Sequence, residues 1–444
     1  MRLMTIRPLP VLLSAAFLAG AAAGGLAALA AQSDAGPDLA TLKAAFRRPP
    51  AVSFPADNAF SEAKRSLGEK LFHDPKLSVD GSTACATCHI REKGFADGRE
   101  RGTGVSGQRL GRHTPTLWNL AWARPVFWDG RARNLEQQVF GPIESPDEMA
   151  QPKAPLIARL AADPDYRQAF AKAFPQDPKV SDENLARAIA TYERTLMSPP
   201  TRFDHWVEGD DNALTPQEID GFRLFTGKAG CANCHTGFAF TDGNFYDIGL
   251  PDADRGRGAV LHLAAADHAF KTPGLRELKR SAPYMHDGSL ASIDDVLRHY
   301  EQGVVERKSV APDLARRLSL SDEERSALKA FLATLSADDD PQPPATITAE
   351  TIQPAGAAVD VTTISQREKQ FSPTHVKVKS GWHLWILNND SRTHNVRVFD
   401  PKLEFDSGAQ EPGETVEIAF PATGSFLVFC GIHPKMELYV DVTK

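Results

Sequence analysis

From about residue 60 to residue 335, apolar positions recur in steps of three and four, the spacing of one helix face. Ala63, Leu67 and Leu71 mark one such face. Thr215-Pro216-Gln217-Glu218 is a capping box with proline at the first helical position, and Ile219, Phe222 and Phe225 continue it. Ser321, Leu328, Phe331 and Leu332 predict a closing helix before residue 336. Beyond Thr346 the pattern changes. Short β-branched runs (Val376-Lys377-Val378, Leu384-Trp385-Ile386, Val416-Glu417-Ile418, Tyr439-Val440-Asp441-Val442) alternate with Gly, Asn, Asp and Pro turns, as in a β-sandwich. Asp338-Asp339-Asp340-Pro341-Gln342-Pro343-Pro344 lies between the two regions, too polar to pack and too stiff to collapse, and predicts an extended spacer.

The helical region carries an internal repeat. Gly68-x-x-Leu71-Phe72 has a counterpart in Gly221-x-x-Leu224-Phe225. Thr114-Pro115-Thr116-Leu117, Asp129-Gly130 and Leu135 are matched at the same intervals by Thr272-Pro273-Gly274-Leu275, Asp287-Gly288 and Ile293. So many fixed offsets imply duplication of one fold. The expected architecture is therefore multidomain: two mainly α domains (32–200 and 201–336), a linker (337–345) and an all-β Greek-key sandwich (346–444). At 444 residues the chain is long enough for about three cores.

Residues 1–31 combine Arg2 and Arg7 with an Ala-rich apolar stretch and the small-residue pattern Ala28-Leu29-Ala30. This predicts a secretory signal and a periplasmic protein, or a membrane-anchored one if the segment is not cleaved. The formal net charge of −7 brings no clustered basic surface, so nucleic acid is not an expected partner.

Five cysteines in an exported chain would ordinarily form disulfides. Four instead fall in Cys85-Ala86-Thr87-Cys88-His89 and Cys231-Ala232-Asn233-Cys234-His235. In Cys-x-x-Cys-His both thiols add to haem vinyl groups and the histidine ligates iron, which makes Cys85, Cys88, Cys231 and Cys234 covalent anchors and His89 and His235 axial ligands of two haems c. The alternative of a redox dithiol would want a βαβ setting.

Four further motifs stand out: Leu71-Phe72-x-Asp74-Pro75-x-Leu77-Ser78, Phe127-Trp128-Asp129-Gly130-Arg131, Gly141-Pro142-Ile143 with Glu148-Met149, and Ala282-Pro283-Tyr284-Met285-His286-Asp287-Gly288. On them rests a resemblance of residues 45–335 to the bacterial di-haem cytochrome c peroxidase and MauG family, which implies that both helical domains are cytochrome c-like. It implies that Gln138 and Glu148 line the peroxide side of the first haem, where Glu148 moves a proton between the two peroxide oxygens. It also implies that Trp128 relays electrons between the haems. Glu144, Asp147 and Glu148 read together could equally be a solvated acidic loop. Ile90 to Arg112 contains no histidine, so the removable sixth ligand of the family's peroxidases is missing and the first iron is expected to be open. Tyr300 stands where MauG proteins place a tyrosine ligand on the second iron; its repeat counterpart is Pro142, which cannot ligate, and His299 is the competing ligand. Two positions depart from the family. Where an inter-haem calcium takes an Asn side chain stands His113, a poor ligand for a hard cation; Ser281 and Pro283 could still offer carbonyls, which leaves calcium open. The exposed tryptophan of MauG two residues before the second motif is here Ala229, so MauG's own substrate is not implied.

His394, Cys430, His433 and Met436 are two imidazoles, a thiolate and a thioether in the order of a type 1 copper site. The region 346–444 resembles small cupredoxins, with Phe371-Ser372-Pro373 and Asn388-Asn389-Asp390 at the expected places, although the Cys-x-x-His-x-x-Met loop is short. The first reading is thus a peroxidase reducing hydrogen peroxide with electrons relayed through its own copper domain from a small redox protein. A MauG-like oxidase of a protein or small substrate is the second, and a non-enzymatic electron carrier, against which Gln138 and Glu148 argue, is the third. All five cysteines then serve cofactors. Metal and pyridine-haemochrome analysis should give two haems c and one copper per chain; a single haem, or a disulfide among Cys85, Cys88, Cys231 and Cys234, would refute the assignment.

Overall fold

The computed structural model describes residues 38–339, 342–343, 346–351 and 361–444, apart from Arg124, Ala315, Pro401 and Pro434. The expected signal segment and part of the spacer lie outside the described residues. Among the described residues no helix is long and apolar enough to cross a membrane.

Helices fill the chain up to residue 333 and β-strands dominate from residue 363. The first half is organised by the helices Glu62–Phe72 and Asp182–Arg194, each started by a serine (Ser61, Ser181) whose side chain accepts from a first-turn N–H. They cross at Gly68, where an added Cβ would stand 2.0 Å from the Ala188 carbonyl oxygen. The second half repeats the device. Pro216–Thr226 opens with the expected capping box, in which Glu218 N donates to Thr215 Oγ1 (3.3 Å) and Thr215 N to Glu218 Oε2 (2.8 Å). It crosses Asp322–Ala333 at Gly221, whose Cβ would lie 2.0 Å from the Ala327 oxygen. Gly68 and Gly221 are therefore equivalent helix-crossing points, required because the facing backbone leaves no room for a methyl group.

The repeat persists in finer geometry. Phe127 and Met285 both have positive φ (69° and 74°), as do Gly130 and Gly288 (67° and 68°). Both turns are closed by equivalent bridges, Val126 with Ala132 and Tyr284 with Leu290. The first half packs Leu67, Leu71, Leu156, Leu160, Phe170 and Leu185 into its core, while the second is built on phenylalanines, among them Phe203, Phe222, Phe225, Phe240 and Phe331. Arg112 ties the halves together, with Nη1 on Asp129 (2.6 Å) and Nε on Asp254 (2.7 Å). Lys271 N donates to the Trp128 carbonyl (2.8 Å) across the same boundary.

Nine strands make two sheets: β1 (Thr363–Arg367), β2 (Gln370–Ser372), β3 (His375–Lys379), β4 (His383–Asn388), β5 (Arg397–Asp400), β6 (Leu403–Asp406), β7 (Thr415–Ala419), β8 (Gly424–Phe429) and β9 (Glu437–Thr443). One sheet has the order β6-β5-β8-β9-β3 and the other β7-β4-β1-β2. Their alternating apolar residues share one core with Ile364, Val376, Ile386, Val398, Val428 and Val440, all essentially without solvent contact. Cys430 and Met436 belong to that core. His383 is a strand-surface residue paired with Glu417 (2.7 Å), whereas His375 is largely covered and bonds Asp441 (2.9 Å).

The β region is seated on the helical region at several separate points. Ala349–Thr351, ahead of both sheets, pairs in parallel with Val52–Phe54. Arg133 donates to the Phe399 carbonyl (3.1 Å) and lies over the Phe429 ring (4.8 Å). Lys369 Nζ donates to the Tyr246 hydroxyl (2.5 Å), and Arg392 approaches Asp313 at 3.7 Å. The start of the spacer also packs: Arg280 donates to the carbonyls of Ala337 and Asp339.

The glycine crossings give a direct test. Gly221→Ala should destabilise the haem-loaded protein by about 1–3 kcal/mol, the usual cost of overpacking, and lower its melting temperature. Gly111→Ala, where an added Cβ meets open space, should leave the melting curve in place.

Candidate redox centres

Both Cys-x-x-Cys-His motifs open onto one cavity of about 1140 Å³ with predominantly apolar walls. This exceeds the roughly 300–1,000 Å³ of ordinary small-molecule pockets. Cys85, Cys88 and His89 line one end; Cys231, Cys234 and His235 line the other. His89 Nδ1 bonds the Phe95 carbonyl (2.8 Å) and His235 Nδ1 bonds that of Phe240 (3.0 Å). Such a bond fixes the tautomer and leaves Nε2 with its lone pair for a metal. Burial lowers the pKa of both histidines, which keeps them neutral as ligands must be. The thiols argue against redox catalysis. Burial raises Cys85, Cys231 and Cys234 to about 12 and Cys88 to about 11, whereas dithiol catalysts depress a thiol pKa. Cavity size, paired thiols and oriented imidazoles fit two covalently held haems.

The residues expected on the peroxide side gather at the first end of the cavity. Gln138, Pro142 and Glu148 line it together with His89. The loop carrying Glu148 is held from behind: Val105 N donates to the Glu148 carbonyl (2.8 Å) and Met149 N to that of Pro142 (3.1 Å). Whereas Glu144 and Asp147 of the same stretch are exposed, Glu148 is half-buried. Burial, its largest influence, raises its pKa above the ordinary range and Asp147 adds to this, while Arg131 opposes. Trp128 sits in the wall, its Nε1 donating to the His113 carbonyl (2.8 Å), with its ring 6.5 Å from that of His286 in the other half.

At the second end Tyr300 lines the cavity, and burial followed by the nearby Cys231 and Cys234 raises its phenol pKa. It stands in a single wide turn, His299–Gly303. The neighbouring His299 is occupied elsewhere, with Nε2 on the Ile248 carbonyl at 2.8 Å. Of the two candidates, Tyr300 is the one that faces the cavity. His113 is similarly committed, since its Nδ1 bonds the Arg99 carbonyl (2.8 Å), and Ser281 Oγ donates to the Leu278 carbonyl (3.3 Å). Ser281 and Pro283 line the cavity wall with His113.

In the β region His394, Cys430 and His433 converge with their ligand atoms within 4.8 Å of one another. Cys430 Sγ lies 3.7 Å from His394 Nδ1 and 3.8 Å from His433 Nδ1, and the two nitrogens are 2.9 Å apart. Asp390 bonds His394 Nε2 (3.2 Å) and so turns Nδ1 inward. Burial lowers His433 to about 3 and holds it neutral. Met436 follows in the same loop, only 1% exposed, its peptide carbonyl accepting from Cys430 N (3.1 Å). A soft thiolate with two imidazoles in a dry pocket is a donor set that fits copper.

Several cavity residues were not singled out from sequence. Glu193 is 5% exposed, its Oε2 has no hydrogen-bond partner among the described residues, and burial raises it to about 8. Its signal was present: the buried stripe Leu185, Ile189 continues four residues on into a glutamate. Lys271, lowered to about 8 by burial with a contribution from Lys435, lines the cavity with Lys435 of the β region. That pairing had no sequence signal, because it exists only once the two regions dock.

The family model for di-haem cytochrome c peroxidase matches residues 62–212. The methylamine utilization protein MauG of Methylorubrum extorquens is 43% identical over 341 residues, which cover 75% of this chain and 96% of the relative. The cytochrome c551 peroxidase of Pseudomonas aeruginosa is 36% identical over 266 residues, covering 57% of this chain and 75% of the relative. Among solved structures, a MauG-like protein associated with microbial copper homeostasis superposes with a TM-score of 0.59 at 31% identity, covering 66% of this chain and 94% of its own. With both cysteine motifs opening on one cavity and a relative of 43% identity matched over 96% of its length, the chain belongs to the di-haem cytochrome c peroxidase and MauG family.

Proposed function

We propose that this protein is a periplasmic di-haem c peroxidase that receives electrons through its own cupredoxin domain. The observation that carries the reading is that Gln138 and a half-buried Glu148 line the same cavity as His89 and Trp128. The reaction is H2O2 + 2 e⁻ + 2 H⁺ → 2 H2O. Haem iron, when bound, supplies the site that accepts the peroxide and stores its oxidising equivalents. Glu148 takes the proton from the near peroxide oxygen and returns it to the far one; Gln138 offers its amide to the same ligand; apolar walls limit water. Trp128 stands between the two ends of the cavity as an oxidisable ring. His394, Cys430, His433 and Met436 would hold copper, a one-electron carrier suited to delivering the two electrons singly from an external redox protein.

A second reading has its own support. Tyr300 faces the second end of the cavity, and an anionic oxygen ligand favours oxidised iron. A MauG-like enzyme that keeps peroxide equivalents and spends them on a protein or small substrate would use that ligand. The two readings part on the fate of the copper electron. With copper reduced beforehand, peroxide should elicit first-order copper oxidation at a rate independent of protein concentration. A long-lived oxidised di-haem state beside unreacted Cu(I) would reject the peroxidase in favour of the second reading.

Glu148→Gln should slow the reaction with peroxide by about 10²- to 10⁴-fold, the worth of a positioned acid–base group. The parental rate should rise with pH through a carboxyl pKa above the ordinary value of about 4.3, since the deprotonated form is the base and burial raises its pKa. Stopped-flow rates across pH check this; an inflection that survives in Glu148→Gln would assign it to another group.

A further inference from the structure

Arg257 lies in the short helix Arg257–Leu261 of the helical region and is 3% exposed. Its Nε donates to the carbonyl of Gly431 in the β region (2.8 Å), and its Nη1 donates to the carbonyls of Asp129 (3.0 Å) and Gly130 (2.7 Å). Its guanidinium also lies over the Phe245 ring at 4.7 Å. Among the described residues no carboxylate oxygen is a hydrogen-bond partner of Arg257, so its positive charge is buried on neutral dipoles. Burying a charge in this way is costly unless its hydrogen bonds are well made, and a hydrophobic residue would often serve packing better. Glycines clear the space on both sides. A Cβ at Gly130 would stand 2.9 Å from Arg257 Nη1, and one at Gly431 would stand 3.0 Å from Leu261, which closes the same helix.

What the bridge joins gives it meaning. Gly431 directly follows Cys430, the thiolate of the candidate copper site, and Asp129 directly follows Trp128. Trp128 is in turn bonded through its carbonyl to Lys271 N, and Lys271 faces the cavity with Lys435 of the ligand loop. We propose that Arg257 is the positioning residue that couples the copper-ligand loop to Trp128, so that electrons from copper enter the di-haem unit at the tryptophan between its two ends. The proposal rests on the relay reading above and adds its point of entry. One electron leaves the Cu(I) thiolate, giving Cu(II), and reduces the di-haem unit that peroxide has oxidised. The path runs through the Cys430–Gly431 peptide, the Arg257 guanidinium and one backbone step at Asp129. Coupling decays more slowly through bonds and hydrogen bonds than across gaps, and this path has no gap. The fixed cation also lies close to Cys430 and stabilises the reduced, less positive copper, which raises its potential.

A second bridge supplies the comparison. His394 Nε2 meets Asp390, which accepts from Lys369 N (3.0 Å), and Lys369 Nζ reaches Tyr246, whose hydroxyl donates to Asp242 (2.6 Å). This route must cross the saturated stem of a lysine side chain. In the full-length holoprotein with copper pre-reduced, peroxide-triggered copper oxidation should be at least tenfold slower in Arg257→Met and unchanged in Lys369→Met. Arg257→Lys keeps the charge but not the fork, so it should retain the copper potential while still transferring more slowly; Arg257→Met should lower the potential. An unchanged thiolate-to-copper band in each variant shows that the ligand loop is intact. Parental transfer rates in both Arg257 variants, or a loss in Lys369→Met alone, would overturn the proposal. Absence of any first-order phase in the parent would overturn the relay reading itself, and the junction with it.

Discussion

The structure depends on two helix crossings made at contact distance. At Gly68 and Gly221 the facing carbonyl stands where a methyl group would be, so the paired helices approach as closely as their backbones allow. That proximity brings the segments after each helix, with their cysteine motifs, to the rim of one space instead of two. The positive-φ residues Phe127 and Met285 then turn the chain back into that space in each half. The duplication places matching scaffolds around a shared cavity, and differences in a few side chains give its two ends different chemistry. Pro142 and Tyr300 are the sharpest such difference, because they occupy equivalent positions and only one carries a donor atom.

Within this apolar volume, and again in the ligand cluster of the β region, burial biases protonation. It lowers the pKa of His89 and His235 in the cavity and of His433 in the cluster, and raises Glu148 and Glu193. These shifts have one physical origin, the cost of charge away from water. They serve opposite ends: a neutral imidazole is free to ligate, whereas a carboxyl with a raised pKa is a stronger base. The charged groups that remain buried are held by defined partners. Arg276 spans both oxygens of Asp204 (2.9 and 2.7 Å from two separate nitrogens to Oδ2 and Oδ1), and Arg257 is held by peptide carbonyls and the Phe245 ring.

Much of this was legible in the sequence because local signals and the global fold agree. The capping box at Thr215 starts its helix where expected, and the repeat of Gly68 and Gly221 reports a packing contact that no other residue allows. The cysteine motifs and the His394, Cys430, His433 set declare their chemistry through residue type and spacing. Glu148 was ambiguous, since a solvated acidic loop and a carboxylate that lines a cavity look alike in one dimension. Arg257 and Lys271 were silent for a different reason. Their roles arise from the contact between the helical and β regions, and no periodicity within either one encodes a partner in the other.

That contact also changes how the spacer is understood. A tether of about eight residues at roughly 3.1 Å each would let the β region wander and raise its local concentration. The chain instead fastens the region at its first strand, Ala349–Thr351 against Val52–Phe54, and again at Arg133, Lys369 and Arg257. Several contacts distributed across an interface fix orientation as well as distance, which effective concentration alone cannot do. The ligand loop at Gly431 is consequently turned toward the helices, and His433 is only 5% exposed. Under the proposed relay, an external donor would approach the candidate copper ligands from a face other than the one docked on the helices. Fusion would then separate the two exchanges in space: delivery to the di-haem unit would run through the docked contact, and only the supply of electrons would be left to encounter.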